Sequence, residues 1–235
     1  MATQFKDVHI QNVGFLGFEE ADFAVFTIPG LEPRMDALRT QLRPKLEQLG
    51  EHFSNRLATQ LERSVFVHVA KHARRKTNPP KDSWVAFSQD RRGYKKWPTF
   101  MLGMWSSHVF LQFGFIYESP YKAAFANLVL ENLEMTRTLL PPDFLVYKDH
   151  MTPSGVALET LTDDAYEQLV ARSASVKRGD LLFGREWSKA YVQSLSASAL
   201  LDEFDETLQK LCRLYPLADL SLRRAGSSVA ATGSV

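Results

Sequence analysis

The stretch HVAKHARRKTNPPKDSWVAF, residues 68–87, gathers side chains suited to chemistry. His68 and His72 stand four residues apart, a spacing that brings two imidazoles together on a helix and can supply two metal ligands. The setting argues against that use. VFVHVA has the β-branched texture of a strand, where about 3.3 Å per residue would hold the rings roughly 13 Å apart, too far to share an ion. No adjacent Glu or Cys completes a ligand set, so no metal is expected. His68 reads instead as a hydrogen-bonded structural residue or a ligand contact.

Lys71, Arg74, Arg75 and Lys76 lead into TNPPKD, where Pro79 and Pro80 fix φ and restrict the residues before them. A stiff loop loses less entropy when its side chains grip a ligand. Guanidinium groups recognise phosphate or carboxylate as planar forks, whereas lysines act as compact charges. Lys71, His72, Arg74 and Arg75 are therefore candidate ligand contacts, with Asn78 and Trp84 shaping the pocket. The plainer alternative is a solvated loop neutralised by Asp82 and by acidic helices.

The segment RRGYKKW, residues 91–97, adds Arg92, Tyr94, Lys95 and Trp97 around a turn at Gly93. Cations beside aromatic faces suit a nucleic acid as well as a smaller anion. Along VFLQFGFIYE, strand alternation places Phe110, Gln112, Gly114, Ile116 and Glu118 on one face. Gln112 and Glu118 need polar partners there, and Gly114 leaves room for a ligand or a crossing helix. Glu118 neutralising a loop cation is the competing reading.

Asp149 and His150, in KDHMTP, form an acid/base pair only if a turn aims both at one cavity. His72, Glu118 and His150 are the candidate proton-transfer residues, and they need a common pocket with the basic loop. The chain contains no nucleophile elbow, Walker loop, dinucleotide fingerprint or zinc-protease motif, so those reactions have no local signature.

Charge points to the same region. Residues 68–97 hold nine cations against two acids, a net of +7, while the rest of the chain carries −6. A local positive field therefore exists on a molecule whose overall charge is only +1. Composition is that of a globular protein, 45% hydrophobic and 23% charged. No apolar run spans a bilayer, and the first residues lack the basic start and apolar core of a signal peptide. Cys212 stands alone, without a disulfide partner, at a helical core spacing. A cytoplasmic protein with no membrane association is expected; no cofactor and no oligomeric state can be read from the sequence.

These side chains must be positioned by the elements around them. Leu31, Met35, Leu38, Leu42, Leu46 and Leu49 recur at helical steps, with Pro44 a kink and Gly50 the expected end. Phe53, Leu57 and Leu61 predict a second helix or a bent continuation. VFVHVA, WVAF, FMLGMW and VFLQFGFIYE then predict an antiparallel meander of about four strands over residues 65–118, with both faces of its central strands covered. A helix follows, capped at Ser119 with Pro120 in its first turn. FLVYKDH, VALET and DLLFGREW are candidate strands, separated by a helix starting near Thr162. A final long helix carries Leu201, Phe204, Leu208, Leu211 and Tyr215. The fold class is α+β, a mainly antiparallel sheet packed against long helices. Residues 1–14 are expected to be a loose leading segment, 15–217 a single domain, and 218–235 a flexible tail.

The basic block, followed by RRGYKKWPTF and HVFLQFGFIYESPYK, resembles the YktB family of uncharacterised bacterial proteins. GFEEADFAVFTIPGLEPRM and DHMTP resemble the same family in the same order, so the similarity covers roughly residues 15–215. The resemblance implies an α+β fold, loosely associated with the catalytic-domain topology of biotin and lipoate protein ligases, and brings no established activity. An anionic small molecule bound at the Pro-stiffened loop is the leading expectation. A nucleic-acid-binding module on the same surface and a His/Glu acid-base enzyme in the same cleft are the alternatives.

Overall fold

The computed structural model describes residues 14–232. The expected leading segment therefore lies outside the described residues except for Gly14. Seven strands form one sheet: β1 (Phe66–Val69), β2 (Asp82–Ser88), β3 (Thr99–Trp105), β4 (His108–Phe115), β5 (Leu145–Tyr147), β6 (Val156–Ala157) and β7 (Leu181–Ser188). Their spatial order is β1-β2-β3-β4-β7-β5-β6, and every pairing is antiparallel. The predicted meander is thus present, and β7 returns to lie between β4 and β5.

The helices are α1 (Glu20–Ala24), α2 (Leu31–Ala37), α3 (Arg43–Leu61), α4 (Lys122–Glu131), α5 (Leu133–Leu139), α6 (Asp163–Ser175), α7 (Lys189–Ser194), α8 (Ala197–Cys212) and α9 (Tyr215–Thr232). A π-helical turn, Leu38–Leu42, joins α2 to α3, and Pro44 falls in the first turn of α3. That placement suits a residue without an N–H, because first-turn donors have no intrahelical acceptor. Pro44 therefore marks the start of a helix at a wide turn.

Gly50 does not end the helix as expected; α3 runs on to Leu61 and closes on Glu62 in the left-handed conformation, φ 51°. The glycine serves close packing: a Cβ there would lie 2.6 Å from Val67 Cγ1 and 3.1 Å from Val85 Cγ2. The segment after Ser119 is two helices, the first starting at Lys122 with Tyr121 and not Ser119 as its N-cap, and the two are broken at Asn132 (φ −135°). Ser119 Oγ donates to the Lys96 carbonyl at 2.6 Å and accepts from Tyr121 N, which ties the 91–97 turn to the end of β4.

The expected tail from residue 218 is a helix through Thr232. Ala218 and Ser221 are fully buried, and Ser221 Oγ returns its proton to the Ala218 carbonyl. Small residues allow α9 to approach α4 closely, so a segment that looks featureless is a packing surface.

The two faces of the sheet do different work. One carries Val85, Phe87, Phe100, Leu102, Leu111, Phe113 and Phe183 into a large core with Leu46, Phe53, Phe125, Phe204 and Leu211 of the helices. The other carries a smaller apolar group, Ala86, Met101, Trp105, Phe110, Ile116, Tyr147 and Leu182, flanked by Trp84 and Tyr94. All of these come from strands and connections. This second face is the floor of the candidate site.

Candidate functional site

A cleft of about 980 Å³ opens over the second face. Its walls are the 70–75 segment after β1, the 90–96 turn after β2, residues 116–118 after β4, and His150 with Met151. His68, Lys71, His72, Arg74, Arg75, Trp84, Arg92, Tyr94, Lys95, Glu118 and His150 all line it, so the structure brings together most of the residues singled out by type and spacing. Two stand elsewhere. Asn78 is exposed and, like its neighbours in the 76–79 segment, outside the lining. Gln112 is buried, 4% exposed, beside Tyr147 and Glu186 beneath the sheet surface.

The loop is held from behind. Arg34 is buried in α2, donates from Nη1 to the Pro80 carbonyl at 2.9 Å, and uses Nε and Nη2 on the Ile28 carbonyl. A guanidinium whose donors are spent on backbone carbonyls acts as a peg for the prolines. His72 adopts φ 49°, uncommon for a residue with a side chain, and meets Ser83 Oγ at 3.1 Å while standing edge-on to Trp84 at 5.5 Å. Burial, reinforced by Arg75 and Arg43, drives its pKa down to about 4. His72 is a neutral, fixed imidazole near pH 7, which suits loop geometry better than proton donation.

His68 Nε2 meets the Asp90 carbonyl at 2.9 Å, with Tyr94 alongside. The two histidines of the opening motif thus bond to different elements, in line with the strand geometry. Asp90 organises the second loop by accepting from Arg92 N and from Trp97 Nε1, while Trp84 Nε1 donates to Tyr94 Oη at 3.2 Å. Trp97 stacks on Tyr121, and the Lys96 ammonium lies 4.8 Å from the Trp97 ring centroid.

Lys95 pairs with Glu118 Oε1 at 2.5 Å, so Glu118 does neutralise a cation, though one from the turn. Its second oxygen, Oε2, is buried without a hydrogen-bond partner. Among the described residues the side-chain charges of Lys71, Arg74, Arg75 and Arg92 enter no ion pair. Asp82, the expected counter-charge of the loop, is 3% exposed and burial pushes its pKa up to about 6, against the pull of His150 and Arg75. Asp82 acts on Arg75 without forming an ion pair with it, so the donors of the loop cations stay open to a ligand.

His150 is oriented by a residue the sequence reading missed. Asp180, fully buried ahead of β7, accepts from His150 Nδ1 at 2.6 Å, from His150 N at 2.5 Å and from Tyr117 N at 2.6 Å. The partner anticipated from sequence, Asp149, instead accepts from Met151 N. Tyr117 stacks on the imidazole at 5.8 Å and 19°. Burial lowers the imidazole pKa, but Asp180, Glu118 and Asp82 together outweigh it and the net shift is upward. Asp180 is legible only as an acid just before an apolar run; its thirty-residue separation from His150 hides the pairing.

Asp149, His150 and Asp180 also place ligand atoms within 4.8 Å of one another. Asp180 already serves three N–H groups, one of them the imidazole's own, so the arrangement is an oriented imidazole more than an open ligand set. Gly114, expected to leave room at the site, faces elsewhere: its φ is 148° and a Cβ would lie 2.2 Å from the Leu181 carbonyl of β7. The glycine permits strand contact. Among the described residues no helix is long and apolar enough to cross a membrane.

The family model described as a domain of unknown function, DUF1054, matches residues 18–215, which include the whole cleft. A UPF0637 protein of Bacillus cereus strain B4264 is 44% identical over 202 residues, covering 86% of this chain and 97% of the relative. UPF0637 proteins of Bacillus thuringiensis strain Al Hakam and of Bacillus anthracis match with the same identity and coverage. On these matches, which agree with the resemblance carried by the basic block, the chain belongs to the DUF1054 family of bacterial proteins.

Proposed function

We propose that the cleft binds an anionic small molecule bearing phosphate. The observation that supports this reading is the set of four cations, Lys71, Arg74, Arg75 and Arg92, that line one concavity outside any close ion pair, with Asp82 and Asp90 acting on Arg75 and Arg92 only at longer range. One guanidinium fork satisfies a carboxylate; four unpaired cations suit the higher charge of a phosphate group. The pegged loop presents them with little entropy left to lose. Met101, Ile116, Trp84 and Tyr94 supply apolar surface for the remainder of the ligand.

A small ligand is favoured over a nucleic acid by the state of the aromatics. Trp97 stacks on Tyr121 and stands outside the cleft lining, and the rings of His72 and His68 lie against Trp84 and Tyr94, so few free ring faces remain for stacking bases. Native mass spectrometry of the protein purified from its own cells tests the reading. The expected result is a bound mass containing phosphorus, lost in an Arg74→Ala/Arg75→Ala variant. A variant-sensitive retardation of single-stranded nucleic acid at low salt, with no small bound mass, would replace it with the nucleic-acid reading.

A further inference from the structure

We propose that the cleft is catalytic and hydrolyses a phosphate ester, with His150 as general acid and Glu118 as the acceptor of the proton from the attacking water. The inference rests on the anion-binding reading and adds a reaction to it. Three features of the site support it independently of the loop cations.

First, Asp180 spends its buried carboxylate on holding one imidazole. Its contacts to His150 Nδ1 and His150 N fix the ring's tautomer and direction, leaving Nε2 on a residue that lines the cleft. A buried acid behind a cleft histidine is the arrangement that makes imidazole an effective proton donor, because the imidazolium is stabilised while its second N–H stays free. Second, Glu118 lines the same cleft and lies close enough to His150 to favour its charged form. Third, Glu118 is partly exposed and makes one hydrogen bond, from Lys95 to Oε1, so its carboxylate keeps acceptor capacity.

The step needs only water as co-reactant. The water oxygen bonds to phosphorus and passes a proton to the Glu118 carboxylate. The ester P–O bond breaks with its electron pair on the leaving oxygen, which takes the proton from His150 Nε2. An alcohol and phosphate result, and solvent carries the proton from Glu118 back to His150. Arg74 and Arg75 hold the phosphoryl oxygens, where they also stabilise charge that builds in the transition state. Asp180 acts as a positioning residue.

Orthovanadate, which adopts the five-coordinate geometry of phosphoryl transfer, tests this without knowledge of the natural ester. Binding of vanadate and of inorganic phosphate to the full chain is followed by tryptophan fluorescence, since Trp84 lines the cleft. Wild type is expected to prefer vanadate by at least about 10-fold, as transition-state analogues do. His150→Gln is expected to lose that preference while keeping its phosphate affinity. Equal wild-type affinities for the two anions would overturn hydrolysis and leave the anion cleft standing. A wild-type chain that binds neither would overturn both readings, and a preference retained in His150→Gln would remove His150 from the reaction. The wild-type comparison stands even if a variant fails to fold.

Discussion

Asp82→Asn is the perturbation whose effect follows most directly from the structure. Asp82 is 3% exposed at the start of β2, and burial raises its carboxyl from 3.8 to about 6 while His150 and Arg75 pull the other way. That gap corresponds to roughly 3 kcal/mol of preference for the neutral form in the folded chain. Between about pH 4 and pH 6 the folded state binds more protons than the unfolded state, so Asp82 makes unfolding free energy fall as pH rises through that window. Above it the penalty is complete. Asparagine keeps the shape without the charge, so Asp82→Asn should be more stable than wild type at pH 7 by about 2 to 3 kcal/mol, the two converging toward pH 4. Urea denaturation at pH 4, 5, 6 and 7 measures the difference, and comparing the two proteins cancels the other titrating groups. A variant less stable than wild type at pH 7 would mean instead that Arg75 and His150 hold Asp82 as a stabilised anion.

Other expectations follow from the packing. Arg34→Ala leaves the Pro80 and Ile28 carbonyls without their donor and should cost about 1 to 3 kcal/mol in denaturant, with faster amide exchange over residues 71–82. Exchange unchanged in that loop would show that the prolines hold it unaided. Gly50→Ala should destabilise by about 1 to 2 kcal/mol despite the better helix former, since overpacking against Val67 and Val85 outweighs propensity. Adding Val67→Ala should recover part of the loss, and no recovery would locate the strain elsewhere. Cys212 is buried, with its thiol pushed up to about 12, so the native protein should resist thiol-specific labelling at pH 8 until unfolded.

What sequence reveals here is mostly local. The β-branched and aromatic runs of β1 to β4 announce a meander because each strand pairs with the next, and the prolines announce a stiff basic loop. The candidate site inherits that clarity, since most of its residues sit on consecutive connections at one face. The parts that stay hidden are long-range. β7 enters beside β4 only in the folded sheet, and with it comes Asp180, the partner of His150. Arg34 carries no local sign of burial, because its partner carbonyl at Pro80 meets it only in the folded chain. Gly50, Ala218 and Ser221 show a further limit: small residues signal flexibility in isolation and close approach in a packed interior. Gln112 lay on the correct face of β4, but burial under neighbouring side chains separates facing the site from lining it.

Calorimetric titration with pyrophosphate reads out whether Arg74 and Arg75 grip a phosphate-bearing ligand, as proposed. Wild type should bind saturably at one site. Arg74→Ala/Arg75→Ala should bind at least about 100-fold more weakly, since two charge-assisted hydrogen bonds worth roughly 1.5 to 3 kcal/mol each are lost. Pyrophosphate affinity that is undetectable in wild type at low ionic strength, or equal in the two proteins, would contradict the account.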